Sequence, residues 1–124
     1  MIIEKNLVYK IAGSAMNVLN EIGHGLREKS YERALCVEFN IQKIQFNQQE
    51  IYPVYYKKVK IDEFIPDLVV ENKIIIDLKT VENITDEHRG QILNYLRVTG
   101  LNIGLIMNFK HPKLEWERLI LTDK

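Results

Sequence analysis

In the stretch FIPDLVVENKIIIDLK, residues 64–79, two carboxylates and an ammonium group interrupt runs of β-branched and aliphatic residues: Asp67, Asp77 and Lys79. Charges are costly to desolvate beside a core unless they are paired or bind a cation. The two apolar runs joined by a polar turn predict a strand hairpin. Directly opposed residues of an antiparallel pair lie on one face, so turn length decides which side chains meet. With Glu71, Asn72 and Lys73 as a three-residue loop, Val70 opposes Ile74 and Asp67 opposes Asp77. Their β-carbons would then lie roughly 5 Å apart. Lys79 projects from the same face. A two-residue loop would instead send the acids to opposite faces.

Ionised carboxylates that close repel, so one must take a proton or both must share a cation. Oxygen ligands suit Mg²⁺ or Mn²⁺, and Mg²⁺ keeps waters and substrate phosphate oxygens in its shell. Lys79 beside such an ion would orient an attacking water and neutralise charge growing on a phosphoryl group. The plainer alternative makes Asp67 a turn residue after Pro66, and Asp77 with Lys79 a surface ion pair at a strand end. The other face of the hairpin, Leu68, Val70, Ile74, Ile76 and Leu78, reads as core.

The elements that must hold these groups follow from periodicity. Leu7, Ile11, Ala15, Val18 and Ile22 recur at helical spacing, and the glycines of GHG, residues 23–25, stop that helix. A second helix is predicted from about residue 28 to about residue 40, with Tyr31, Leu35 and Phe39 on one stripe. Residues 44–79 then change to strand periodicity as IQFNQQEIYPVYY, KVKIDEF and the hairpin, with Pro53 at an edge or bulge. Thr85, Asp86 and Glu87 open a third helix and Gly100 ends it. NIGLIMNF and WERLIL close the chain as strands. This order predicts one mixed α/β or α+β domain over residues 1–124, its third helix crossing over to a parallel strand.

Two further motifs carry polar groups. Glu28 precedes Tyr31 by three residues at the start of the second helix, where its carboxylate either reaches inward or complements the helix dipole. In the third helix His88, Gln91 and Tyr95 share one face, opposite Ile92, Leu93 and Leu96. Any of the three could equally be an ordinary surface or core-edge residue.

Taken in order, PDLVVENKIIIDLK resembles the P-D-x(n)-(D/E)-x-K signature of the PD-(D/E)XK nuclease superfamily, and QILNY resembles the Q-x-x-x-Y helix motif of its RecB-like branch. GLREKSY, residues 25–31, is similar to the pattern of the GxxExxY family within it. The resemblance implies a restriction-endonuclease-like core, a mixed central sheet flanked by helices. It also implies metal binding by Asp67, Asp77 and the main-chain carbonyl of Leu78, with Glu28 completing the metal's surroundings. Lys79 would serve the water nucleophile, and Gln91 and Tyr95 would steady the site or the strand being cut. Asp77 stands where many relatives carry Glu, and the signature admits either acid.

The function expected is that of a Mg²⁺- or Mn²⁺-dependent nuclease acting on DNA or RNA. The alternative is a catalytically silent nucleic-acid- or protein-binding module on the same fold. A chain with 17 basic and 17 acidic residues has no global positive field to recruit polyanions. A nucleic-acid partner must therefore meet local basic groups, for which Lys57, Lys58, Lys60, Arg89, Arg97, Lys110 and His111 are candidates. The single cysteine, Cys36, excludes an intrachain disulfide framework and fits a reducing compartment. No stretch has the pattern of a signal peptide or the length of a membrane span, so the expectation is a soluble, cytoplasmic protein.

Overall fold

The computed structural model describes residues 4–122. The elements run α1 (Lys5–Ile22), α2 (Glu28–Ile41), β1 (Phe46–Gln48), β2 (Tyr52–Tyr56), β3 (Val59–Phe64), β4 (Leu68–Val70), β5 (Ile74–Lys79), α3 (Asp86–Thr99), β6 (Ile103–Asn108) and β7 (Glu115–Ile120). Five strands form one mixed sheet in the order β1-β4-β5-β6-β7, and β2 with β3 forms a separate two-stranded ribbon. Only β5 and β6 run parallel, joined by α3 as the crossover the sequence predicts.

Helices cover both faces of the sheet. On one face α1 and α2 pack Val8, Ile11, Ala15, Tyr31, Leu35 and Phe39 against Leu68, Ile74, Ile76, Leu105 and Met107. On the other, Ile92 and Leu96 of α3 meet Ile75 and Ile106. That sandwich explains why all six residues of β6 are buried: a strand covered on both faces reads as a continuous apolar run. Gly104 on β6 lets α3 come close, since a β-carbon there would sit 2.6 Å from Cγ2 of Ile92.

The β4–β5 turn has the three-residue form, with Val70 opposite Ile74 and Leu68 opposite Ile76. Glu71 and Asn72 take positive φ there. The five residues expected to face the core, Leu68, Val70, Ile74, Ile76 and Leu78, all lie in the α1–α2 layer.

Two expectations need correction. IQFNQQEIYPVYY is two strands in different sheets, because the chain turns at Gln49, which takes φ 57°. Ile22 is exposed at the end of α1, where Leu19, a turn earlier, fills the inward position. Pro53 lies on an edge strand as expected, opposite Glu63 in the two-stranded ribbon, with a β-bulge next to it between Val54 and Tyr55. Cys36 packs half-buried at the edge of the core, and burial raises its thiol pKa. Among the described residues no helix is long and apolar enough to cross a membrane.

Candidate active site

Continuing the β4–β5 register by one residue brings Asp67 opposite Asp77. Both line a cleft of about 160 Å³ together with Phe64, Lys79, Gln91 and Tyr95. Alternation along β5 puts Asp77 and Lys79 on the α3 face with Ile75. The three charges therefore meet where the hairpin strands end.

Each carboxylate is held differently. Oδ2 of Asp67 accepts the Leu78 N–H at 2.9 Å. Burial pushes the Asp67 carboxyl up to about 6, and the nearby charge of Asp77 adds to it against the pull of that hydrogen bond. Oδ2 of Asp77 is buried, with no well-formed hydrogen bond among the described residues. The Lys79 ammonium is 3.2 Å away and pairs with it by charge. Burial raises the Asp77 carboxyl above its usual range, and Lys79 opposes that rise.

Leu78 contributes backbone. The N–H and C=O of one strand residue face the same edge. Since the Leu78 N–H meets Asp67, its carbonyl faces the same side. Lys79 faces the other way, its carbonyl accepting from Phe109 N–H at 2.9 Å.

Glu28 approaches from α2. Its Oε2 accepts from the Thr80 N–H at 3.2 Å and lies 3.4 Å from the Thr80 hydroxyl, just past Lys79. The GLREKSY spacing now has a mechanical account. Gly25 turns the chain at φ 100°, and the Tyr31 hydroxyl closes that turn by donating to Gly23 O and accepting from Leu26 N–H. The Tyr31 ring stacks on Phe109 with centroids 4.6 Å apart. Glu28, first residue of α2, is thereby aimed at the end of β5.

Gln91 and Tyr95 reach the cleft from α3. Burial and the charge of Asp77 raise the Tyr95 hydroxyl pKa, and its ring stacks on Phe64 at 3.7 Å. His88 does not join them. Its Nδ1 accepts from the Thr85 N–H and the Thr85 hydroxyl accepts from the His88 N–H, so it caps α3. Arg89 is also withdrawn from the expected basic set, because two 2.7 Å bonds tie it to Glu117 and a third to Asp86. Lys60 pairs with Glu63, and His111 Nε2 contacts Glu82 O.

Two supporting groups gave no signal in the sequence. Glu32, 3% exposed, pairs with Lys29 and accepts from the side-chain amides of Gln48 and Gln49. The Gln49 N–H in turn donates to Asp67 O. Asn108, fully buried, bonds both N–H and C=O of Val81 and so pins the segment after Lys79. Neither is recognisable without the tertiary contacts that surround it.

A larger cavity of about 560 Å³ lies at the far end of the sheet, beside the β4–β5 turn, and shares no residue with this cleft.

The donor set fits a hard divalent cation. Among the described residues no three acidic, histidine or cysteine side chains form a metal cluster, and Mg²⁺ needs only one or two carboxylates when water and phosphate complete its shell. Asp67, the unsatisfied Oδ2 of Asp77 and the Leu78 carbonyl supply that much.

A sheet of this topology, flanked on both faces, with two acids and a lysine at the end of a hairpin, defines a restriction-endonuclease-like fold. A family model for the PD-(D/E)XK nuclease superfamily matches residues 5–119, and the chain belongs to that superfamily. No curated protein and no solved structure matches it.

Proposed function

We propose that the protein is a Mg²⁺- or Mn²⁺-dependent nuclease of the GxxExxY type that hydrolyses phosphodiester bonds in DNA or RNA, in the cytoplasm. One observation carries this reading: among the described residues the buried Asp77 Oδ2 is satisfied by no well-formed hydrogen bond, has only a lysine ion pair beside it, and shares a cleft with a second raised acid, Asp67. A binding module has no physical need for that crowding.

Asp67, Asp77 and the Leu78 carbonyl would hold the cation. When bound, it would polarise a phosphoryl oxygen and make water a better nucleophile. Lys79, an ammonium with three donors and no acceptor, orients the attacking water and stabilises the charge that develops on the phosphoryl oxygens. Glu28 keeps Thr80, and hence the end of β5, in register with α2. Gln91 and Tyr95 wall the cleft and position the strand being cut.

The test incubates the protein with single- and double-stranded DNA and RNA, with Mn²⁺ or chelator, beside Asp77→Ala and Lys79→Ala. Cleavage is expected only with metal and only by the wild type. Equal cutting by Asp77→Ala would overturn the assignment.

A further inference from the structure

The β2–β3 ribbon stands apart from the main sheet and leaves Tyr55, Tyr56, Val59 and Ile61 each more than 60% exposed. Its register sets Tyr56 opposite Val59 and leaves Lys57 and Lys58 as a two-residue turn. Both lysines take positive φ, 48° and 69°. Such turns favour Asn and Gly, which reach that conformation with less strain. Strain retained at a turn points to a use for the side chains. The ribbon's two acids, Asp62 and Glu63, lie toward its base opposite Val54 and Pro53, while its tip carries Lys57 and Lys58, with which no carboxylate among the described residues pairs.

The base of the ribbon is fixed to the site. Phe64 stacks on Tyr95 at 3.7 Å and lies 6.5 Å from Tyr52. Only Ile65 and Pro66 separate β3 from Asp67. A chain lying along the ribbon is therefore led to the acids.

We propose that this ribbon holds single-stranded nucleic acid that wraps its tip, with Tyr55 and Tyr56, which alternate to opposite faces of β2, stacking on unpaired bases and Lys57 and Lys58 taking phosphates between them. The proposal rests on the nuclease reading and names the form of its substrate. Aromatic faces bind bases that a duplex hides, and lysines beside them take the backbone without reading sequence. A neutral chain with two lysines here, one of them, Lys57, 5.4 Å over the Tyr56 ring, suits one strand better than the broad basic surface a duplex needs.

The test measures fluorescence anisotropy of labelled DNA and RNA single strands of about 15 nucleotides, and of the matching duplex, in chelator so that nothing is cut. Tyr55→Thr/Tyr56→Thr keeps strand propensity and is expected to weaken single-strand binding about tenfold or more, with duplex binding unchanged. Lys57→Asn/Lys58→Gly is expected to lower the salt slope of single-strand binding by about 1.4 and to raise the melting temperature. That combination separates a binding role from a structural one. Wild-type affinity in both variants, a preference for duplex, or no binding at all would overturn the proposal. So would a wild-type dimer that the tyrosine substitutions dissociate with binding unchanged, which would give these tyrosines to a second copy. Binding through the ribbon without cleavage under any metal condition would sink the nuclease reading and leave this one standing. Metal-dependent cleavage with wild-type KM in both ribbon variants would do the reverse.

Discussion

The Leu78 N–H donates to Oδ2 of Asp67 across 2.9 Å, so a residue of β5 fixes the orientation of an acid at the start of β4. That bond favours the ionised carboxylate, yet burial outweighs it and carries the Asp67 carboxyl from 3.8 to about 6. Between pH 3.8 and about 6 the native state thus keeps a proton that the unfolded chain has already lost.

The sign of the pH dependence follows. An acid raised on folding costs nothing below its unfolded pKa, and the cost grows as pH rises and is complete above the folded value. In chelator, Asp67→Asn keeps an oxygen for the Leu78 N–H but has no charge to bury. Its stability relative to wild type should therefore rise between pH 3.8 and about 6. The gain should be on the order of 2 kcal/mol after allowance for solvent screening. Urea melts of both proteins across that range check it. Added Mg²⁺ should stabilise wild type above pH 6 and leave the variant nearly unmoved.

Asp77 and Lys79 form the second coupled pair, 3.2 Å apart with side chains 17% and 19% exposed. Lys79→Met leaves a mostly buried carboxylate without the ammonium that pairs with it and should cost roughly 1–3 kcal/mol at neutral pH. Asp77→Asn removes the charge instead and should be neutral or stabilising while abolishing cleavage, as at sites that trade stability for activity. In the Asp77→Asn background, Lys79→Met should cost at least about 1 kcal/mol less than in wild type. Additive losses in this double-mutant cycle would mean that the pair does not interact.

The hairpin was legible in the sequence because alternation and turn length together fix a register, and a one-residue change in the turn would have put Asp67 and Asp77 on opposite faces. The order of helices and strands followed from periodicity for the same reason. The ribbon was not legible as a separate sheet. Its strands share the composition of the strand before them, and only the turn at Gln49 sends them to the other side. Charged and other polar residues were hardest to place, since their partners are distant in sequence: Arg89 meets Glu117, Glu32 meets Gln48, and Asn108 meets Val81. Charge alone made Arg89 a candidate for nucleic-acid contact, and the two Glu117 bonds remove it.

Gly104 tests how tightly α3, which carries Gln91 and Tyr95, is seated on the sheet. A β-carbon at 104 would lie 2.6 Å from Cγ2 of Ile92, a short β-branched side chain with little freedom to move away. Gly104→Ala should destabilise by about 1–3 kcal/mol as overpacking does. Ile92→Ala alone should cost about 2–5 kcal/mol. The double variant should lose clearly less than their sum, because the new methyl enters the space the isoleucine leaves. Thermal melts of the four proteins read this, and simple additivity would place the strain elsewhere.

Tyr31 offers the sharpest separation of positioning from packing. Its hydroxyl bridges Gly23 O at 2.8 Å and Leu26 N–H at 3.1 Å, while its ring stacks on Phe109. Tyr31→Phe preserves the ring and leaves both backbone groups to find other partners, a loss of about 1–3 kcal/mol. The turn it releases precedes Glu28, whose bond to Thr80 N–H ties α2 to the end of β5. If that tie matters to the site, Tyr31→Phe should lower kcat more than tenfold at a temperature where it remains fully folded. Glu28→Gln, which keeps an acceptor for Thr80, should then retain more activity than Glu28→Ala. Wild-type kcat in folded Tyr31→Phe would confine the glycine-to-tyrosine motif to stability alone.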